Sequence, residues 1–213
     1  VAAIERNSYV LPQPAWPEAA AMMTFVNIDT AGGKGLVILP SHRVVHSLPQ
    51  YSTTDLLQRS EAYFTIEAMP EAAEQSIRNT LAAAGKRGTA FVMASADGRY
   101  LLRAKADAVA NALGGVPERL RLLDVMQLHS LILEQLLGIS QEAIREQKHI
   151  RYVRDIKDAL EQVARAEANV TFLMNPATVD QLREIAFAGE TMPQKSTDFY
   201  PKLLSGLVIH AFD

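Results

Sequence analysis

The chain contains no cysteine. That excludes a disulfide framework and thiolate chemistry, and it fits a cytoplasmic location. There is no basic excess: 21 Lys and Arg stand against 24 Asp and Glu, a formal net charge of -3. A general nucleic-acid binder shows the opposite balance, although a local basic patch stays open. No apolar run approaches the roughly 20 residues that span a bilayer. No signal peptide, repeat or low-complexity tract is present. Phosphate loops of the Walker type are also missing. Lys195-Ser196 follows no glycine-rich turn, and Gly32-Gly33-Lys34-Gly35 lacks both the earlier glycine and the hydroxyl that the motif requires. The five histidines have no metal-ligand spacing. His42 and His46 would share a helix face, but Pro40 and Pro49 disfavour a helix there, so no metal site is expected. No Ser-His-Asp arrangement can be assembled.

Apolar residues make up 48% of the sequence, enough for a real core, and the length suits one domain or two small ones. Hydrophobic patterning predicts strands over 22–28, 36–39, 62–68, 149–153, 170–174 and 206–211, with 36–39 buried on both faces. A helix end at 2–6 precedes three prolines that keep the chain extended. Helices are predicted over 54–60, over 70–84 with Pro70 in the first turn, and over 117–137 with a break near Leu123-Asp124. Ser140 and Asp155 are candidate N-caps, and Pro176 marks a helix running to about Ala188. Strands 89–95 and 99–105 flank Asp97-Gly98, a favoured hairpin turn. Arg99, Leu101, Arg103 and Lys105 then share one face, whose plain reading is a solvated side of the sheet. The pattern amounts to an α+β fold: a mixed sheet with a hairpin in the first half and β-α-β-α-β in the second. Strands 149–153 and 170–174 would be parallel neighbours joined by a right-handed crossover. One α+β unit over residues 1–213 is expected, with a sub-boundary near 106–116, a stretch that reads as helix or as linker.

If those two strands are neighbours, their C-terminal ends set the turns Arg154-Asp155 and Asn175-Pro176 side by side, where open α/β sheets bind ligands. Each residue also has a plainer role: a surface ion pair for Arg154, a helix cap for Asp155 and for Asn175. His42-Arg43 follows a short apolar strand, a good place for a site pair. His129 falls on the apolar face of the 117–137 helix and reads first as a satisfied core histidine. The long segment 189–202 is polar and broken by prolines, and connections of that length are usually functional or disordered. Met192, Phe199 and Tyr200 can pin it. Its Lys195, Ser196, Thr197 and Lys202 offer charge and hydroxyls to a phosphate. A loop pinned for purely structural reasons is the alternative.

The run Met192-Pro193-Gln194-Lys195-Ser196-Thr197, followed by Phe199-Tyr200-Pro201-Lys202-Leu203-Leu204-Ser205-Gly206-Leu207-Val208-Ile209, resembles the C-terminal signature of the bacterial and archaeal family called domain of unknown function 1015. Phe25-Val26-Asn27, Gly35-Leu36-Val37-Ile38-Leu39-Pro40-Ser41-His42-Arg43, Leu123-Asp124-Val125 with His129, Tyr152-Val153-Arg154-Asp155 and Asn175-Pro176 match further pieces in family order. Members are longer and carry an upstream Asp-Gly-His-His-Arg motif similar to ParB and sulfiredoxin-like nucleotide-using proteins. This chain lacks the motif and begins with Val1, so it is expected to be the C-terminal part of a larger protein. Gly32-Gly33-Lys34 departs from the family's shorter turn. The resemblance implies phosphate transfer or hydrolysis on a small phosphorylated molecule, with a nucleotide entering through the missing N-terminal part. Lys195, Ser196, Thr197, Lys202, His42 and Arg43 would be anion clamps. A ParB-like partition or regulatory module is the alternative, although the acidic balance and the lack of a helix-turn-helix pattern weigh against DNA. A homodimer through the 123–137 helix face or the final strand is a third reading.

Overall fold

A computed structural model describes residues 36–202. The chain divides into two units, Ile38–Phe199 and Val1–Val37 with Tyr200–Asp213. The strands expected over 22–28 and 206–211, and the helix end at 2–6, lie outside the described residues. β1 (Val37–Leu39) is short, and Ile38 is its one buried residue, so the expected burial on both faces fails.

The larger unit is built on six strands: β2 (His42–Val45), β3 (Phe64–Met69), β4 (Ala90–Ser95), β5 (Gly98–Ala104), β6 (Ile150–Val153) and β7 (Val170–Met174). They lie in the order β3-β5-β4-β7-β2-β6, and each of these pairings is antiparallel. β8 (Asp198–Tyr200) pairs with β1 in a separate two-stranded sheet. The α+β class holds, and the second half runs β6-α-β7-α-β8, with β8 inside the segment expected to be a loop and the expected final strand outside the described residues. β6 and β7 point the same way but are not neighbours, because β2 pairs with both. The reason lies in β2 itself. Its four residues are all buried, and a strand covered on both faces belongs inside a sheet.

Side-chain alternation divides the core between the two faces. Val45, Phe91, Met93, Leu102 and Phe172 pack on one face against Leu128, Leu131 and Ile132. Val44, Val92, Leu101 and Leu173 pack on the other against Ile77, Leu81, Ile156 and Ala159. The helices are α1 (Thr53–Ser60), α2 (Glu74–Gly85), α3 (Ala106–Ala112), α4 (Glu118–Arg121), α5 (Asp124–Gln127), α6 (Gln141–Arg145), α7 (Ile156–Ala164) and α8 (Val179–Phe187). The stretch 106–116 is therefore mostly helix. The break near Leu123 is present, and beyond Gln127 the helix widens into a π-wound segment, Leu128–Leu136. Its end is closed by a bond from Leu137 N–H to Ile132 O at 2.9 Å. This winding buries three consecutive residues, Leu131, Ile132 and Leu133. That face is core of its own chain, so it is not free to serve as the expected dimer surface.

Local expectations hold where a side chain meets the backbone. Ser140 caps α6, and the Asp155 carboxylate accepts from Lys157 N–H at 2.8 Å and Asp158 N–H at 3.2 Å. The prolines mark less than expected. α2 begins only at Glu74, after an extended Ala73. Pro176 likewise precedes α8, which is opened by a capping box between Thr178 and Gln181. The hairpin turn falls one residue early. Ser95 pairs with Gly98, so Ala96 and Asp97 form the turn, with Asp97 N–H on Ser95 Oγ at 3.2 Å. Gly98 takes a φ of 143°, which favours glycine. The basic stripe on β5 is half covered rather than solvated: Leu101 is buried, Arg103 pairs with Glu67, and Arg99 donates to Ala72 O.

Candidate functional site

The register brings several candidate residues to one edge of the sheet. His42 lies opposite Val153, and Arg43 lies opposite both Tyr152 and Phe172. The start of β2 thus sits between the ends of β6 and β7, where Arg154 and Asn175 follow. The two turns are gathered as expected, one strand further apart.

His42 and Arg43 do not act as a pair. They are successive residues of a strand and face opposite sides of the sheet. His42 is buried, and its Nδ1 accepts from Met174 N–H at 3.1 Å. Burial, with Arg78 and Arg43 nearby, pushes its pKa down to about 4. The ring is therefore neutral and carries its proton on Nε2, which has no partner among the described residues.

Arg43 is 2% exposed. Its Nε donates to His129 Nε2 at 3.4 Å, its Nη1 to Ser41 O, and its Nη2 to Lys195 O at 3.0 Å. The guanidinium carbon lies 5.2 Å from the centre of the Tyr152 ring, a cation–π distance. Burial lowers its pKa to about 10, which leaves it a cation at neutral pH. Burial and Arg43 together push His129 down to about 3, so that imidazole is a neutral acceptor. The core-histidine reading of His129 stands, with the added role of holding Arg43. Arg43 is therefore a buried cation with only uncharged partners, and no carboxylate pairs with it among the described residues. Breaking up buried charge pairs is costly because the remaining charge goes uncompensated. A guanidinium has five N–H donors. The three bonds to His129, Ser41 and Lys195 leave one N–H on each Nη nitrogen.

Arg43 lines a cavity of about 410 Å³ with Ser41, Lys86, Asp124, Asn175 and Ser196; Leu39, Leu123, Val125, Met174 and Pro176 supply apolar wall. Asn175 is not the cap of α8. Its Nδ2 reaches across to Leu81 O at 3.0 Å. Arg154 takes its plainer role, an exposed ion pair with Asp198 in which Nη2 donates to Oδ1 at 2.8 Å.

The 189–202 segment does reach this edge, but through its backbone. Lys195 adopts a φ of 57° and offers Arg43 its carbonyl; its side chain is exposed and does not line the cavity. Ser196 lines it, with its hydroxyl donating to Pro193 O. Thr197 is half-buried and outside the lining. Lys202 belongs to the smaller unit. Met192 pins the segment by packing on the core, whereas Tyr200 is exposed.

Lys86 and Asp124 were not singled out from the sequence as ligand-facing. Lys86 directly follows the end of α2, and Asp124 opens α5, where an acidic residue reads as ordinary helix chemistry. Burial pushes the Asp124 carboxyl up to about 6, against a hydrogen bond from Thr89 that lowers it. Among the described residues no group of three or more His, Asp or Glu is placed to hold a metal, and no helix is long and apolar enough to cross a membrane.

Among solved structures, the chain is similar to a free serine kinase in complex with AMP, at 14% identity and a TM-score of 0.45, with 81% of this chain and 56% of that chain covered. A conserved hypothetical protein from Pyrococcus furiosus matches at 13% identity and a TM-score of 0.45, covering 81% of this chain and 59% of that one. The chain therefore spans less than two thirds of either, and similarity at this level says nothing of chemistry. No curated protein matches. A sequence profile described as "Protein of unknown function (DUF1015)" matches residues 6–126. That match ends ahead of the 189–202 segment but takes in more than half of the chain, which therefore belongs to the DUF1015 family.

Proposed function

We propose that the cavity beside Arg43 binds the phosphate of a small molecule, and that the chain is the anion-holding part of a nucleotide-linked phosphotransfer or phosphohydrolase enzyme. One observation carries this reading: a buried guanidinium that lines a cavity and has, among the described residues, no carboxylate partner and one N–H spare on each Nη. Such a fork matches two oxygens of a phosphate. The anion supplies a counter-charge that no carboxylate among the described residues gives Arg43. Lys86 adds an exposed cation to the cavity wall. In a phosphoryl-transfer reaction the contribution of these two cations is electrostatic, holding the oxygens on which charge gathers. Lys195, Thr197 and Arg154 have no part in the hold.

Titration calorimetry with inorganic phosphate and with ADP tests this. Arg43→Lys keeps the charge and loses the fork, so phosphate affinity is expected to fall about ten-fold or more. Lys86→Ala is expected to weaken binding several-fold with the melting temperature unchanged. Equal affinity in wild type and both variants would sink the proposal.

A further inference from the structure

Asp124 faces the same cavity as Arg43, and a site for an anion alone gains nothing from a carboxylate. Its hydrogen-bond partner is Thr89, and no lysine or arginine pairs with it among the described residues. Among the described residues the Thr89 hydroxyl is its one hydrogen-bond partner. A ligand seated on Arg43 can bring a hydrogen-bond donor to Asp124, since both line the same cavity. Leu123, Val125 and Met174 contribute apolar wall to the same cavity, which suits a ligand with a carbon linker.

We propose that Asp124 accepts a hydrogen bond from a hydroxyl of the ligand, so that the cavity selects a hydroxyalkyl phosphate over bare phosphate or a plain alkyl phosphate. This rests on the phosphate reading above and names its substrate class. A hydroxyl donates one hydrogen bond to a carboxylate oxygen and needs no full counter-charge. That matches an acid already desolvated by its walls, where a charged ammonium would lose its own hydration on entry. Asp124 thus sets specificity, and Arg43 supplies the common anchor.

The experiment compares ethyl phosphate, 2-hydroxyethyl phosphate and 2-aminoethyl phosphate by calorimetry on the whole chain. The first two differ by a single hydroxyl. Wild type is expected to bind the hydroxyethyl ester about ten-fold more tightly than the ethyl ester, the size of one hydrogen bond to a charged acceptor. In Asp124→Ala that preference is expected to vanish while ethyl phosphate binding holds or improves; Asp124→Asn, which retains an acceptor, recovers part of it and guards against a variant that fails to fold. Equal binding of the two esters by wild type overturns this inference and leaves the phosphate reading intact. A preference for the aminoethyl ester over the hydroxyethyl ester overturns the hydroxyl assignment. Binding of none of the three overturns the phosphate reading, and this inference with it.

Discussion

At the scale of single residues, the chemistry of the site depends on which face of the sheet a side chain meets. His42 and Arg43 are adjacent in the sequence and look like one element of a site. A two-residue repeat separates them as soon as the strand forms. Arg43 could be picked out from the sequence; its lack of a carboxylate partner could not, because that depends on what β6, β7 and the 189–202 segment bring to it. Lys195 misleads in the opposite way: its charge draws attention, while its carbonyl makes the contact. Burial also sets a pH dependence. The folded state holds His42 at about 4 and His129 at about 3, against 6.5 when unfolded. As pH falls below 6.5 the unfolded chain takes up protons that the fold refuses, so their contribution is full above 6.5 and is lost as pH falls towards 4 and 3. Asp124, raised from 3.8 to about 6, works the other way and favours the fold as pH falls through that window. With two histidines against one carboxyl, stability is expected to drop by about 3 kcal/mol between neutral pH and pH ~4.5. Urea unfolding at the two pH values measures this, and His129→Gln should remove most of the drop, since the Asp124 gain offsets most of what His42 loses. An unchanged slope in that variant would show that His129 titrates normally in the fold.

At the scale of elements, helix ends and turns were readable where a side chain signals the backbone, as at Ser140 and Asp155, and misread where proline alone was the signal. Pro70 and Pro176 both precede extended chain, because the capping residues stand further on. Strand order was not readable: nothing in the patterns of β6 and β7 says that β2 will lie between them. The end of α2 shows what a local signal can conceal. Gly85 looks like a simple helix stop, yet a Cβ there would come within 2.5 Å of Asn175 Nδ2. The glycine makes room for the amide that bonds Leu81 O. Gly85→Ala is therefore expected to push Asn175 off that carbonyl, destabilising the fold by about 1 kcal/mol and weakening phosphate binding; a variant with unchanged melting and binding would mean that Asn175 relaxes freely. Thr178→Ala breaks the capping box of α8 and should cost about 1 kcal/mol, visible as a lowered urea midpoint with an unchanged slope.

At the scale of the molecule, the α+β class and the hairpin were legible because they follow from local period and turn chemistry. The cavity was not, since it is formed by α2, α5, β2, the end of β7 and the 189–202 segment, which only the folded chain assembles. A ligand that binds only the fold stabilises it by mass action, so phosphate at 100 times its dissociation constant should add about 2.7 kcal/mol, read as a raised melting temperature. The central claim is that Arg43 awaits an anion. A crystal structure grown with tungstate, a heavy phosphate mimic located by its anomalous scattering, tests it most directly. The expected result is a single ordered anion at hydrogen-bond distance from both Nη nitrogens of Arg43, inside the cavity with Asn175 and Ser196. An empty cavity, with tungstate bound only elsewhere on the surface, would contradict the account.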